Sequence, residues 1–245
     1  MYELFVERRT LPDSYHEALV ALHTTHNELT CSDYNTRQKE SSLTFHVQSP
    51  LVEPMISRLF IGGPDDLEQY CQEVVDGIMD FEVERGNWDY TYHQRMENQI
   101  GWVIDELKRN PDSRRACMSI RSWKDQYLDS PACLQHIQYF IRNGLLHCKV
   151  LFRSNDLCKA TFQNAFALIM LQKKVADEIK CAVGSYTHKA NSMHVYKRDY
   201  NLFDAYVQRI KSGSELTYNY KGEWDELMEE AKSGIALKVK ELRER

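Results

Sequence analysis

Three features of this 245-residue sequence predict an α+β layered fold. Strand-like and helix-like segments are mixed, without the regular βαβ alternation of a parallel α/β sheet. In LQHIQYFIRNGLLHCKVLFRS, residues 134–154, two strand-like runs flank Asn143-Gly144, a pair that readily takes the positive φ angles of a tight hairpin turn. Residues 157–180 then carry Phe166, Ala167, Ile169, Met170, Val175 and Ile179 over much more than one stripe, as expected of a long, mostly buried helix.

The other elements follow in chain order. Residues 40–49 (ESSLTFHVQS) alternate in places and are rich in strand formers, which predicts a strand. After Gly62-Gly63-Pro64, residues 65–82 place Leu67, Tyr70, Val74 and Met79 three to five positions apart, with Val75 beside them, the pattern of an amphipathic helix. A second helix is expected over 96–109, stopped by Asn110-Pro111. A strand near 185–196 and helices near 199–212 and 223–232 complete the chain. With no repeat, low-complexity tract or Gly/Ser/Pro-rich linker, residues 1–245 read as a single domain.

Composition excludes several classes of function. The chain is 42% apolar and can bury a substantial core, so disulfides and metals are not needed for folding. A net charge of −5 lacks the basic surplus of a nucleic-acid binder, although a few arginines in one pocket would suffice for a small anion. No window reaches the ~18 apolar residues of a membrane span, and the opening MYELFVERRT is too charged for a secretory signal. Seven scattered cysteines (31, 71, 117, 133, 148, 158 and 181) form no CxxC pair, which argues against zinc and a disulfide framework and points to the reducing cytoplasm.

The residues that could carry chemistry are few. Arg114-Arg115 follow a helix stop in PDSRRA, Arg37 lies in a polar loop before the first strand, and Arg153-Ser154 end the second hairpin strand. Paired arginines are ordinarily a solvated surface, but a guanidinium beside a hydroxyl is also a natural phosphate clamp. Cys133, in DSPACLQ, stands at the hairpin entrance, where nearby arginines would favour the reactive thiolate over an inert buried thiol. His194 and Tyr196 share one face of a strand by the period of two, as a structural or a ligand-binding pair would. Spacing alone therefore gives an α+β domain with a candidate anion site and leaves the function open.

Read in order, the segments resemble the thymidylate synthase superfamily. The matching elements are Arg37 with Leu43, PDSRR at 111–115, PACLQ at 131–135, RSND at 153–156, Asn164, and HVY at 194–196. The clear match covers about residues 110–200 and a fainter one begins near 35; YTYHQR at 90–95 and PACL in place of PCH look like the archaeal and hydroxymethylase-like branch.

The resemblance implies a large mixed sheet packed against helices and forming the interface of a homodimer. It implies a pyrimidine nucleoside monophosphate as substrate, 5,10-methylenetetrahydrofolate as cofactor and no metal. Cys133 would add to C6 of the ring, making C5 electron-rich. Arg37, Arg153 and Ser154 would hold the 5′-phosphate, with Arg114 and Arg115 reaching it from the partner subunit. Asn164 would pair with uracil N3–H and O4, whereas cytosine reverses that pattern. His194 and Tyr196 would bond the sugar 3′-hydroxyl, and Asp156 would lie beside base and pterin.

Leu134 and Phe152 stand where the family has His and Gln. The family's proton-handling glutamate is matched by Tyr70, with Glu73 nearby, and either Tyr90 or Tyr92 could line the site. The charged C-terminal LKVKELRER replaces an apolar closing tail. The expected reaction is methylation of dUMP to dTMP, with hydroxymethylation of dUMP, dCMP or CMP as the alternative.

Overall fold

The structure, a computed structural model, describes residues 2–25 and 27–244. The chain begins with a strand β1 (Glu3–Arg8) and a helix α1 (Leu11–Thr24), neither of which the sequence pattern singled out. Thr10 caps α1 by accepting from the Asp13 N–H at 3.3 Å, and Pro12 sits in the first turn, where its missing donor costs nothing. Strands β2 (Glu28–Cys31) and β3 (Thr36–Val47) form a hairpin, and β3 contains most of the strand expected at 40–49.

The helix expected over 65–82 is broken in two: α2 (Pro64–Val75) and α3 (Phe81–Glu84), with the short strand β4 (Ile56–Ser57) before them. The break has a local cause. Gly77 has φ +69°, and a Cβ there would lie 2.1 Å from His93 Nδ1. Apolar spacing continues to Met79, but the backbone cannot continue as a helix through a left-handed residue. Helix α4 (Tyr92–Arg109) starts one turn earlier than its apolar pattern, capped by Thr91, and ends as expected before Asn110-Pro111.

After β5 (Cys117–Ser119) comes the expected hairpin, β6 (Leu134–Arg142) and β7 (Leu145–Phe152), with φ of 53° at Asn143 and 75° at Gly144. Beyond β8 (Asn155–Asp156), helix α5 (Thr161–Ile179) occupies the place of the predicted 157–180 helix. Strand β9 (Ala182–Tyr196) and α6 (Tyr200–Lys211) follow. After β10 (Thr217–Tyr218), α7 (Asp225–Glu244) runs well beyond the expected 223–232.

The eight-stranded sheet has the order β1-β3-β9-β7-β6-β5, with β2 beside β3 and β8 beside β9. Pairing is mixed: β7 and β9 are parallel, joined across α5, while β3–β9 and β6–β7 are antiparallel. One face of the hairpin buries Leu134, Ile137, Tyr139, Leu146, Cys148 and Val150 in the core. The other face mixes Phe140 and Leu151 with Gln138, His147 and Lys149. In α5, Phe166, Ala167, Ile169 and Val175 are buried, whereas Met170 and Ile179 are half-buried. Among the described residues no helix is long and apolar enough to cross a membrane.

Candidate active site

The site forms where β6 begins and β7 ends alongside the continuing strand β9. Cys133 immediately precedes β6, Arg153 immediately follows β7, and the two backbones join through the Arg153 N–H to the Cys133 carbonyl at 2.8 Å. The Ser192 N–H then donates to the Arg153 carbonyl at 3.1 Å, tying in β9. Beyond this seam a cavity of about 680 Å³ opens.

Seven residues singled out from sequence line that cavity: Cys133, Arg153, Ser154, Asp156, Asn164, His194 and Tyr196. Their convergence reflects strand register. Asp156 pairs with His194 across β8–β9, and Glu40 and Gln38 of β3 pair with His194 and Tyr196 from the other side. The His194 and Tyr196 rings lie on one face, 4.7 Å apart and nearly edge-to-face. Asn164, in the first turn of α5, is nearly buried.

Three arginines expected at the phosphate, two of them from a partner subunit, lie outside the cavity of this chain. Arg37 is exposed on the opposite face of β3 from Gln38 and Glu40, paired with Glu28 at 2.5 Å, because neighbouring side chains on a strand point to opposite faces. Arg114 is exposed, and Arg115 pairs with Glu106 at 3.0 Å. Neither Arg114 nor Arg115 lines the cavity among the described residues.

Arg153 serves the cysteine segment directly. Its Nε donates to the Ala132 carbonyl at 3.1 Å and its Nη2 to the Pro131 carbonyl at 2.7 Å. A guanidinium has five N–H donors, so part of its capacity remains for a ligand. The expected activation of the thiol is only partial. Burial pushes the Cys133 thiol above its ordinary range, and the Arg153 charge draws it back without cancelling that effect.

The carboxylate of Asp156 caps the turn into α5, its Oδ1 accepting from the Cys158 and Lys159 N–H groups at 3.0 Å each. Burial nevertheless raises its pKa, against those bonds. Burial lowers the pKa of His194, with Asp156 pulling the other way. His194 Nε2 has no hydrogen-bond partner among the described residues.

The residues left as alternatives in the sequence differ in placement. Tyr70, not Glu73, lines the cavity, and its hydroxyl donates to Asn164 Oδ1. Tyr92, not Tyr90, lines it, and its hydroxyl accepts from the Leu134 N–H at 3.4 Å. Glu73 and Tyr90 face an adjoining pocket together with Trp88, Tyr70 and Tyr92. Sequence reading missed the lining residues Cys31, Asp33, Gln38, Glu40, Asp129 and Ser192. Strand periodicity at Gln38 and Glu40 was a usable signal, but the register that sets them beside His194 and Tyr196 was not.

Behind the cavity wall runs a buried polar chain. The Tyr186 hydroxyl pairs with His188 Nδ1 at 3.0 Å, and His188 Nε2 with Asn155 Oδ1 at 2.9 Å, which also accepts from Thr161 at 3.0 Å. The imidazole is stacked between Phe45 and Phe152, at 4.6 and 4.7 Å. Burial pulls its pKa down to about 3, so it is neutral. Asn155 stands between Ser154 and Asp156 in the lining, so this chain holds the RSND segment from behind.

The profile of the thymidylate synthase family matches residues 70–237. The chain belongs to that family. Thymidylate synthase-family proteins are methyltransferase enzymes, with hydroxymethyl transfer as a variant within the same family. A Methanocaldococcus jannaschii protein provisionally named thymidylate synthase is 30% identical over 191 residues, covering 73% of this chain and 85% of that one. A Methanosarcina barkeri protein with the same provisional name is 27% identical, covering 84% and 95%. Thymidylate synthase 1 of Bacillus spizizenii is 30% identical over 115 residues, 46% of this chain and 40% of its own. In fold, the chain is similar to the thermostable thymidylate synthase A of Bacillus subtilis, with a TM-score of 0.63, 16% identity, and coverage of 82% and 84%.

Proposed function

We propose that residues 1–245 act as one catalytic domain, transferring a one-carbon unit from 5,10-methylenetetrahydrofolate to C5 of dUMP and giving dTMP. The observation that carries this reading is the presence of a thiol, a guanidinium and a buried carboxamide, those of Cys133, Arg153 and Asn164, on the walls of one cavity.

The thiolate of Cys133 would form a bond to C6, moving the ring's electron pair to C5 and towards O4. Asn164 would donate from Nδ2 to O4 as charge develops and accept the N3–H at Oδ1. Departure of the thiolate, after loss of the C5 proton, would restore the double bond. Arg153 holds the segment that carries the nucleophile and, with Ser154, would meet the 5′-phosphate. His194, with its unpartnered Nε2, and Tyr196 suit the sugar hydroxyl, and Asp156 would lie beside the base.

The folate is expected against aromatic surface, and the wall past Cys133 offers it. Tyr70 and Tyr92 are shared between the main cavity and the pocket containing Trp88 and Tyr90, and the Tyr90 and Tyr92 rings stack at 6.1 Å. These residues fit a planar heterocycle; when bound, the cofactor supplies the one-carbon unit and the reducing equivalents for a methyl product.

Charge supports a shared site. Asp33, Glu40, Asp129 and Asp156 line the cavity, against one guanidinium among the described residues. A phosphate dianion needs more cation than that, which favours a homodimer with Arg114 and Arg115 entering from the partner.

A specific observation favours hydroxymethyl transfer as the second reading: among the described residues, none beyond Tyr196 lines the cavity, and α7 packs on α2 instead. Water would then reach the reacting carbon. Mass spectrometry after incubating dUMP, dCMP or CMP with methylenetetrahydrofolate tests both: a methyl adds about 14 daltons and a hydroxymethyl about 30. Unchanged mass for all three nucleotides refutes the reading.

A further inference from the structure

The cavity wall contains a further contact, between α2 and α5. Tyr70, on α2, and Asn164, on α5, both line the cavity, and the Tyr70 hydroxyl donates to Asn164 Oδ1. Asn164 is buried and Tyr70 half-buried where α2 packs against α5. Burial raises the Tyr70 pKa well above the ordinary phenol value, so the proton stays on the oxygen and remains available to donate.

A carboxamide reads a pyrimidine edge by the order of its acceptor and donor. Uracil offers N3–H and the O4 acceptor; cytosine offers the N3 acceptor and the exocyclic N4–H. A free amide can turn through 180° and satisfy either edge. An amide whose oxygen already accepts from a hydroxyl resists turning, because its NH2 would then meet that hydroxyl and the phenol proton would lose its acceptor.

We propose that Tyr70 is a specificity-determining residue, which by holding the amide of Asn164 in one orientation makes the site discriminate between uracil and cytosine nucleotides. This deepens, and rests on, the assignment of Asn164 to the base edge. Tyr70 acts through Asn164 and is a positioning residue. The contact is worth about one net hydrogen bond, a factor of roughly five to ten in the ratio of the two nucleotides.

The test compares the full-length chain with Tyr70→Phe, and with Tyr70→Met as a second hydroxyl-free variant should the first fold poorly. Dissociation constants for dUMP and dCMP are measured by calorimetry without folate, and kcat/KM for each with methylenetetrahydrofolate. The expected result is a dUMP-to-dCMP ratio that falls about five- to tenfold in both measurements. In an Asn164→Ala background the same Tyr70 change should leave the ratio unmoved. If Tyr70→Phe weakens both nucleotides equally, the hydroxyl is merely structural and the inference fails while the assigned reaction stands. If the unaltered protein binds neither nucleotide, the proposed function falls and takes this inference with it.

Discussion

Replacing His188 with Phe should change how stability responds to acid, through one buried proton. Phenylalanine keeps an aromatic ring in the slot between Phe45 and Phe152 but cannot be protonated. In the folded protein burial lowers the His188 pKa to about 3 from an ordinary value of 6.5. The unfolded chain therefore binds a proton that the native state refuses whenever the pH lies between those values. The stabilisation is fully present above pH 6.5 and is lost as pH falls towards the folded value, because stability rises with pH wherever the unfolded state binds more protons. Between pH 7 and pH 5 this single site should cost the unaltered protein about 2 kcal/mol. His16, also lowered by burial, to about 4, adds its own loss over the same range and is untouched by the substitution. The same holds for His46 and His194, both shifted downwards.

The comparison between proteins therefore isolates His188. At pH 7 the variant should be less stable by about 1–3 kcal/mol, since the buried Tyr186 hydroxyl loses its acceptor. By pH 5 that deficit should shrink by about 2 kcal/mol. Urea unfolding followed by circular dichroism at pH 7, 6 and 5, at one protein concentration, measures it. Parallel pH profiles for the two proteins would refute the assignment of a neutral, buried His188.

Three further outcomes are expected. With the Cys133 thiol held above its ordinary range, alkylation of Cys133 by iodoacetamide in nucleotide-free protein should accelerate about tenfold per pH unit from about 7 to 9 and be slower in Arg153→Gln; a plateau below pH 8 would contradict this. Cys133→Ala and Arg114→Ala/Arg115→Ala subunits, each inactive alone, should regain activity when mixed and refolded, because the heterodimer restores one intact site; a demonstrable heterodimer without activity refutes action in trans. Gly77→Ala should destabilise the fold by about 2 kcal/mol or more in urea, combining left-handed strain with the approach to His93, and an unchanged midpoint would count against the observed turn.

What the sequence determined by itself is what local chemistry dictates. Asn143-Gly144 can hardly be anything but a tight turn, and the β6–β7 hairpin follows from it. The apolar surround of α5 made that helix visible, and the ordered motifs from Cys133 to Tyr196 pointed to the family and belong to residues that line one cavity. The break at Gly77 was less legible, because apolar spacing runs through it and only the backbone angle reveals the turn. Tertiary structure decided the rest. Which neighbours Cys133 acquires depends on β6 beginning and β7 ending beside β9, and burial, which no residue encodes alone, outweighs Arg153 in setting its thiol. Arg37 and Glu40 lie three residues apart on β3, yet only Glu40 reaches the cavity, since a strand alternates its faces and the partner register chooses which one counts. Tyr70 meets Asn164 across 94 positions of sequence, a pairing that exists only because α2 and α5 pack side by side.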